Sequence, residues 1–354
     1  MYITKLKISR FKSHVESDLN LKNVTLLTGL NGSGKSSVFQ SIRMFWELLK
    51  TEDPTINEYG ELETLINRNS KNKSFEFKME LENKPFMDLL YSKVDENLSH
   101  NEHISKDDIL SNYNLAYISA SRLGPTEYQN IRNKINYEKN VGSYGEFTLD
   151  VLLKNAEESL PDSFKDSHES RNTLEFHVEK WLKEVSPNIE LKTELNKKQN
   201  IASFSINGFT PFNVGFGISY TLSIIVQLLY SVILFKKKGI KSIVLIENPE
   251  AYLHPRGQTK IAEFISIISN YGVQVIVETH SDYILDGLRL SVKDNIIEHE
   301  KTRIYYFELF KDEVNYDWNN TKVVMPEISE QGLLNQWPTN FFDTSKKNKK
   351  RFLR

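Results

Sequence analysis

Cysteine is absent from the 354 residues, which excludes a disulfide framework, a thiolate metal centre and a cysteine nucleophile and fits a reducing cytoplasm. A charge excess of either sign is absent too. The 45 Lys and Arg face 47 Asp and Glu, so the whole-chain field calls for neither nucleic acid nor a membrane surface. The opening MYITKLKISRFKS alternates apolar and polar residues and lacks the continuous apolar core of a secretion signal, and no later run reads as long enough to span a bilayer. Neither a repeat of roughly 20–50 residues nor a sustained heptad series is found, which excludes a solenoid and a long coiled-coil arm. What remains is an ordinary soluble balance of 39% hydrophobic and 26% charged residues, in a chain long enough for one large α/β domain or two modest ones.

The periodicity predicts strands at 2–9, 15–19 and 24–28, then a helix over 36–49 whose apolar residues Val38, Ile42, Phe45, Leu48 and Leu49 share one face. A further alternating strand covers 74–81. Residues 84–114 are polar and mixed, and read as an insertion before a strand at 115–119 and the segment SASRLGP. A second insertion, 128–187, carries helical stretches at 149–159 and 173–185 and forms a lobe or a helical arm. Asn207-Gly208 signals a hairpin between 201–206 and 209–214. From 219 the pattern is regular: helix 219–235, strand 242–247, helix 258–269, strand 273–278, helix 281–290, strand 303–310. That alternation implies parallel strands with helical crossovers. The expected divisions are 1–127, 128–200, 201–310 and a C-terminal extension, 311–354, with a basic tail.

Four segments carry chemistry. Gly29-Leu-Asn31-Gly32-Ser33-Gly34-Lys35-Ser36 fits G-x-x-x-x-G-K-[ST] and sits between a buried strand and a helix, the context a phosphate loop requires. Backbone amides from Asn31 to Ser37 would cradle phosphates, Lys35 would reach the outer ones and Ser36 would ligate Mg2+. The apolar strand ending at Glu247 delivers a carboxylate suited to the same metal, but Asn248 stands where a second carboxylate would orient the attacking water. Glu250 or Glu278 could take that role, or Glu250 could simply pair within the Pro249 turn. Glu278-Thr-His280 ends another strand, and a neutral His280 can hydrogen-bond a terminal phosphate or the water. Finally Gly215-Phe-Gly217-Ile-Ser219 opens an apolar helix and makes a second anion site at Ser219. One chain with one phosphate loop and one such site implies that each closes over the ATP of a second copy, hence a dimer.

In this order the features resemble the ABC-type ATPase heads of the SMC, RecF and OLD (overcoming lysogenization defect) group. Arg10-Phe11-Lys12 followed by GLNGSGKSS, then IENPEAYLHP and ETHSD, are similar to that group's phosphate-loop, acidic-strand and switch-His segments. SASRLGP and the Gly332-Leu333 to Asp343 ending look like a compact bacterial branch, in which an Asn after the acidic residue is usual. The resemblance implies an α/β P-loop NTPase: an ABC-like head with a mixed sheet, an N-terminal antiparallel β-subdomain and helical insertions. It also offers Arg68 or Arg122 as a phosphate-facing or interface arginine.

OLD-type nucleases append a metal-dependent nuclease domain, but this chain has no Asp-x-Asp after Glu278 and too little length beyond 303 to hold one. His100 and His103 lie in a polar stretch without further ligands. The expected function is an ATP-binding, slowly hydrolysing switch that pairs, or forms a larger even-numbered assembly, and controls a separate effector, plausibly a nuclease in anti-phage defence. The rival is a RecF-like ATPase that binds DNA, for which the basic run 346–351 is either a binding arm or a solvated tail. A transporter subunit fits poorly, because the L-S-G-G-Q signature is missing.

Overall fold

The computed structural model describes residues 2–94, 97–132, 140–165, 171–311, 319–338 and 341; the basic run and the last aromatic residues of the C-terminal extension lie outside them. The chain forms two compact units, Met1–Asn112 with Glu298–Arg354, and Tyr113–Ile297.

In the first unit β1 (Ile3–Phe11) pairs antiparallel with β2 (His14–Asn20) and with β4 (Ser74–Leu81), and the sheet continues through β5 (Lys84–Ser92) to β6 (Asn97–Glu102). Residues 84–114, read from sequence as an insertion, thus extend the antiparallel subdomain and end in α2 (Lys106–Asn112). The polarity that concealed them is that of an edge: β6 is NLSHNE, while β5 buries Phe86, Met87 and Leu89. Aromatic packing fills this core, with Phe11 edge-on to Phe75 and Phe77 at centroid distances of 5.3 and 4.8 Å. A second sheet holds β3 (Val24–Gly29), which runs parallel to β13 (Thr302–Lys311); β13 is antiparallel to β14 (Asn319–Val324), so this sheet is mixed, as expected. β3 feeds α1 (Lys35–Thr51), whose buried face is the apolar series predicted.

In the second unit β7 (Tyr113–Ile118), β11 (Lys241–Glu247) and β12 (Val273–Glu278) are all parallel, with β11 in the middle. The helices α6 (Pro255–Ile268) and α7 (Asp282–Lys293) follow β11 and β12 and pack on each other. The central helix α5 (Phe216–Lys238) ends at Gly239 in the left-handed conformation, with Lys236, Lys237 and Lys238 in its last turn. By length and mean hydropathy (2.0) it could cross a membrane, against the sequence reading that no run was long enough, but 78% of that window is buried in the fold. It is a core helix. Against it pack α3 (Thr148–Asn155) and α4 (Leu174–Val185), so the helices of the second insertion build the core of this unit instead of projecting as an arm.

The hairpin at Asn207-Gly208 differs from expectation. Both residues do take positive φ, 52° and 78°, but residues 211–213 form a 3-10 turn that Pro211 starts. Across the turn only Ile206 and Phe209 pair, exchanging both backbone hydrogen bonds at 2.9 Å; the longer partner of β10 (Ile201–Ile206) is β9 (Leu191–Asn196), with β8 (Gln129–Asn130) on the other edge.

Candidate functional site

In the first unit the glycine-rich loop closes on itself. Gly29 sits at φ 137°, and a Cβ there would lie 2.1 Å from the Phe307 carbonyl oxygen of β13; only glycine lets β3 turn here. Gly34, at φ 102°, is the N-cap of α1 and supplies no capping side chain; the Ser37 amide donates to the Gly34 carbonyl at 3.1 Å, and the positive end of the helix faces the loop. The Lys35 ammonium folds back over the loop, donating to the Gly29 and Leu30 carbonyls at 3.1 and 2.8 Å, and the Ser33 hydroxyl donates to Leu30 O at 2.7 Å. Asn31, Gly32 and Ser36 face solvent, Ser37 is buried, and a Cβ on Gly32 would meet nothing within 4 Å. This open cradle of backbone with a cation above it fits a polyphosphate.

Beneath the loop lie residues that the sequence did not single out. His14 Nε2 donates to Gly34 O at 2.9 Å, and because a carbonyl only accepts, Nδ1 is the acceptor for the Ser17 hydroxyl at 2.8 Å. Thr321 Oγ1 donates to Ser33 O at 2.9 Å, lies 2.8 Å from Ser13 Oγ, and joins residues 288 positions apart in sequence. No local pattern signals either contact. Burial, aided by the nearby Lys12 charge and opposed by the bond to Gly34, pushes the His14 imidazole down to about 4. The unfolded chain takes up a proton near the ordinary pH 6.5 that the folded chain refuses until about pH 4, so stability is lost as the pH falls through that window. At roughly 1.4 kcal/mol per pH unit, the His14 contribution at pH 5 is a loss of about 2 kcal/mol relative to pH 7. Urea denaturation at both pH values should show a smaller acid loss in His14→Gln than in the parent; equal losses would remove His14 as the cause.

In the second unit the predicted acidic residues end neighbouring strands. Glu247 and Glu278 stand opposite each other in the β11–β12 register, and Glu247 Oε2 accepts from the Ala120 amide at 2.9 Å. Asn248, at φ 44°, donates from its backbone N to Glu278 O. Glu250 turns back into the protein: its carboxylate accepts from Thr279 Oγ1 at 2.8 Å, the His280 amide at 2.9 Å and Asn248 Nδ2 at 3.3 Å. It thereby ties the β11 turn to the His280 segment, while the His280 side chain is exposed. Ser281 caps α7, its hydroxyl accepting from the amides of Tyr283 and Ile284.

Arg122 is 2% exposed and spends its guanidinium on backbone, donating to the carbonyls of Ser119, Glu247 and Asn248 at 2.9, 2.6 and 2.8 Å beneath the Tyr220 ring. Burial lowers it to about 10, with Glu250, Tyr220 and Glu247 opposing, so it stays charged at pH 7. Arg68 is exposed, in the turn after the 3-10 helix Leu62–Leu65 of the first unit. Helix α5 begins at Phe216, three residues before the predicted start, so Ser219 closes its first turn. Gly217 lets that turn approach the β11 turn: a Cβ would lie 2.6 Å from Tyr252 O. An aromatic group missed by sequence reading surrounds it, with Phe216 stacked on Tyr252 at 5.5 Å and both exposed. Among the described residues no cluster of three or more His, Asp or Glu side chains could hold a metal ion.

A family model described as AAA domain, putative AbiEii toxin, Type IV TA system matches residues 24–286. A second, described as a protein of unknown function (DUF3696), matches 297–351. No curated protein compared with the chain matches it. Among solved structures, the SMC head bound to the C-winged helix domain of ScpA is similar with a TM-score of 0.57 at 17% identity, covering 93% of this chain and 99% of that one. The Pyrococcus furiosus Smc head with an extended coiled coil, bound to the C-terminal domain of ScpA, gives 0.53 at 14% identity, with 100% of each chain covered. The recombination mediator protein RecF with ATPrS gives 0.46 at 14% identity, with 87% of this chain and 96% of that one covered. At these identities the likeness is one of fold.

Proposed function

The chain belongs to the AAA-domain family whose model spans residues 24–286 and has the fold of an ABC-type ATPase head, and from that premise we propose that it binds Mg-ATP and pairs with a second copy around it. The loop from Asn31 to Ser37 takes the phosphates, Ser36 and Glu247 hold Mg2+, and Lys35 neutralises the outer phosphates. Gly217 and Ser219, at an α5 N-terminus without a side-chain cap, close over the nucleotide of the other copy, and Arg68 is the arginine exposed enough to reach phosphate. Glu278 and His280 orient water, slowly, because Asn248 replaces the second carboxylate. Glu250 and Arg122 hold the β11 turn in place for them. The observation that carries this reading is the loop itself, a helix start at a left-handed glycine without a capping side chain, with a lysine folded over it.

A nucleotide state that changes assembly is a switch, and a switch acts on something. The family's description as a toxin component and the ScpA domains named with the two SMC heads support a separate protein partner, an effector held or released by the ATP-bound pair. A nuclease in anti-phage defence fits that role, in the cytoplasm.

Light scattering with Mg-ATP and with ADP, together with phosphate release from the same samples, tests this. The mass should double, or reach a larger even multiple, only with ATP, and release should be slow. Ser219→Arg is expected to bind Mg-ATP as the parent does while remaining monomeric. A Ser219→Arg chain that still assembles with ATP would remove the α5 end from the nucleotide interface.

A further inference from the structure

We propose that Thr321 and His14 are positioning residues of the nucleotide site, a strut through which the C-terminal segment sets how the phosphate loop presents its amides. The proposal rests on the ATP-binding reading above and adds to it a residue far outside the loop, within the match to the family of unknown function.

A trans peptide is planar, with its C=O and N–H pointing in opposite directions. Fixing the oxygen therefore fixes the hydrogen of the next residue. Thr321 Oγ1 holds Ser33 O, which aims the Gly34 amide away from the strut; His14 Nε2 holds Gly34 O, which does the same for the Lys35 amide. Those two amides open α1 beneath Lys35. The strut is itself anchored: the Thr321 amide donates to Ser13 O at 2.8 Å, Asn69 Nδ2 donates to Asn320 Oδ1, and Asn320 and Thr321 are 3% and 6% exposed. It also fits without slack, since a Cβ on Gly34 would lie 2.5 Å from His14 Nε2 and 2.6 Å from Thr321 Oγ1. Glycine and strut are matched. Binding and strut are coupled in both directions, so whatever displaces β14 weakens ATP, and ATP tightens β14.

The test is Mg-ATP titration calorimetry on the full chain as parent, Thr321→Val, Thr321→Ser and His14→Gln, with melting curves without nucleotide. Thr321→Val should weaken ATP about tenfold, the scale of one misdirected donor to a charged group. Thr321→Ser, which keeps the hydroxyl, should bind nearly as the parent does, and all should melt within a few degrees of it. Equal ATP affinity in Thr321→Val, or equal weakening in Thr321→Ser, overturns the proposal. Should Thr321→Val fail to fold, hydrogen exchange on the parent decides: Mg-ATP slows exchange in residues 319–324 if the strut is coupled to the loop, and leaves it unchanged if not. A parent that binds no ATP overturns the nucleotide reading and the strut together. A parent that binds ATP through Lys35, with Thr321→Val unaffected, overturns the strut alone.

Discussion

Lys35→Ala is expected to lose Mg-ATP binding by about a hundredfold while melting, without nucleotide, close to the parent. The asymmetry follows from what the ammonium touches. In the nucleotide-free chain it is 3% exposed and bonded to the Gly29 and Leu30 carbonyls, contacts whose removal costs about 1 kcal/mol. In the proposed ATP complex the same charge would meet phosphate oxygens, where each hydrogen bond between charged groups is worth roughly 1.5–3 kcal/mol. Saturating Mg-ATP should therefore stabilise the parent by about 3 kcal/mol at a hundred times its Kd and leave Lys35→Ala almost unmoved. Lys35→Arg should not rescue, because a planar fork cannot replace a compact ammonium folded over two loop carbonyls. Thermal shift with and without Mg-ATP reads this directly. A Lys35→Ala chain that ATP stabilises as much as the parent would place the nucleotide elsewhere.

The parts of this molecule legible in its sequence are those whose causes are local. The strand–glycine–helix passage from Val24 to Thr51 could be read because apolar run, glycines and helical periodicity each act over a few residues, and each end of that strand and helix lies at most two residues from the reading. Strands 74–81 and 273–278 were bounded by their own alternation or apolarity. What failed was pairing. Asn207-Gly208 announced a turn, and the turn exists with Ile206 bridged to Phe209, yet the pairing stops there and β10 is completed by β9 and β8; a turn signal fixes backbone φ, not how far the strands beyond it pair. β6 was missed because an edge strand is polar for the same reason a loop is. The strut under the phosphate loop was unreadable in principle, because Thr321 matters only through residues almost the whole chain away.

Sequence left Glu250 with two readings, water-polarising base or structural partner, and its surroundings favour the second in a way that makes a large prediction. Both carboxylate oxygens are engaged, on Thr279, His280 and Asn248, and Glu250 is the leading charge that offsets the burial of Arg122. Glu250→Ala strands the fully buried Thr279 hydroxyl and the His280 amide and deprives Arg122 of that support. Unsatisfied groups cost roughly 1–3 kcal/mol each and do not simply add; a loss of about 2–4 kcal/mol, or roughly 5–10 °C in melting temperature, is expected. Phosphate release should fall with it, because His280 loses the anchor of its own backbone. Glu250→Gln separates the two readings. Its carbonyl oxygen can still accept from His280 and Asn248, and its amide can donate to Thr279 Oγ1, so a clamp should be largely restored in both melting temperature and phosphate release, whereas a base should not. If Glu250→Ala melted like the parent and neither variant released phosphate, Glu250 would be the residue that polarises the water, and the shelf on which His280 sits would have to be held by something else.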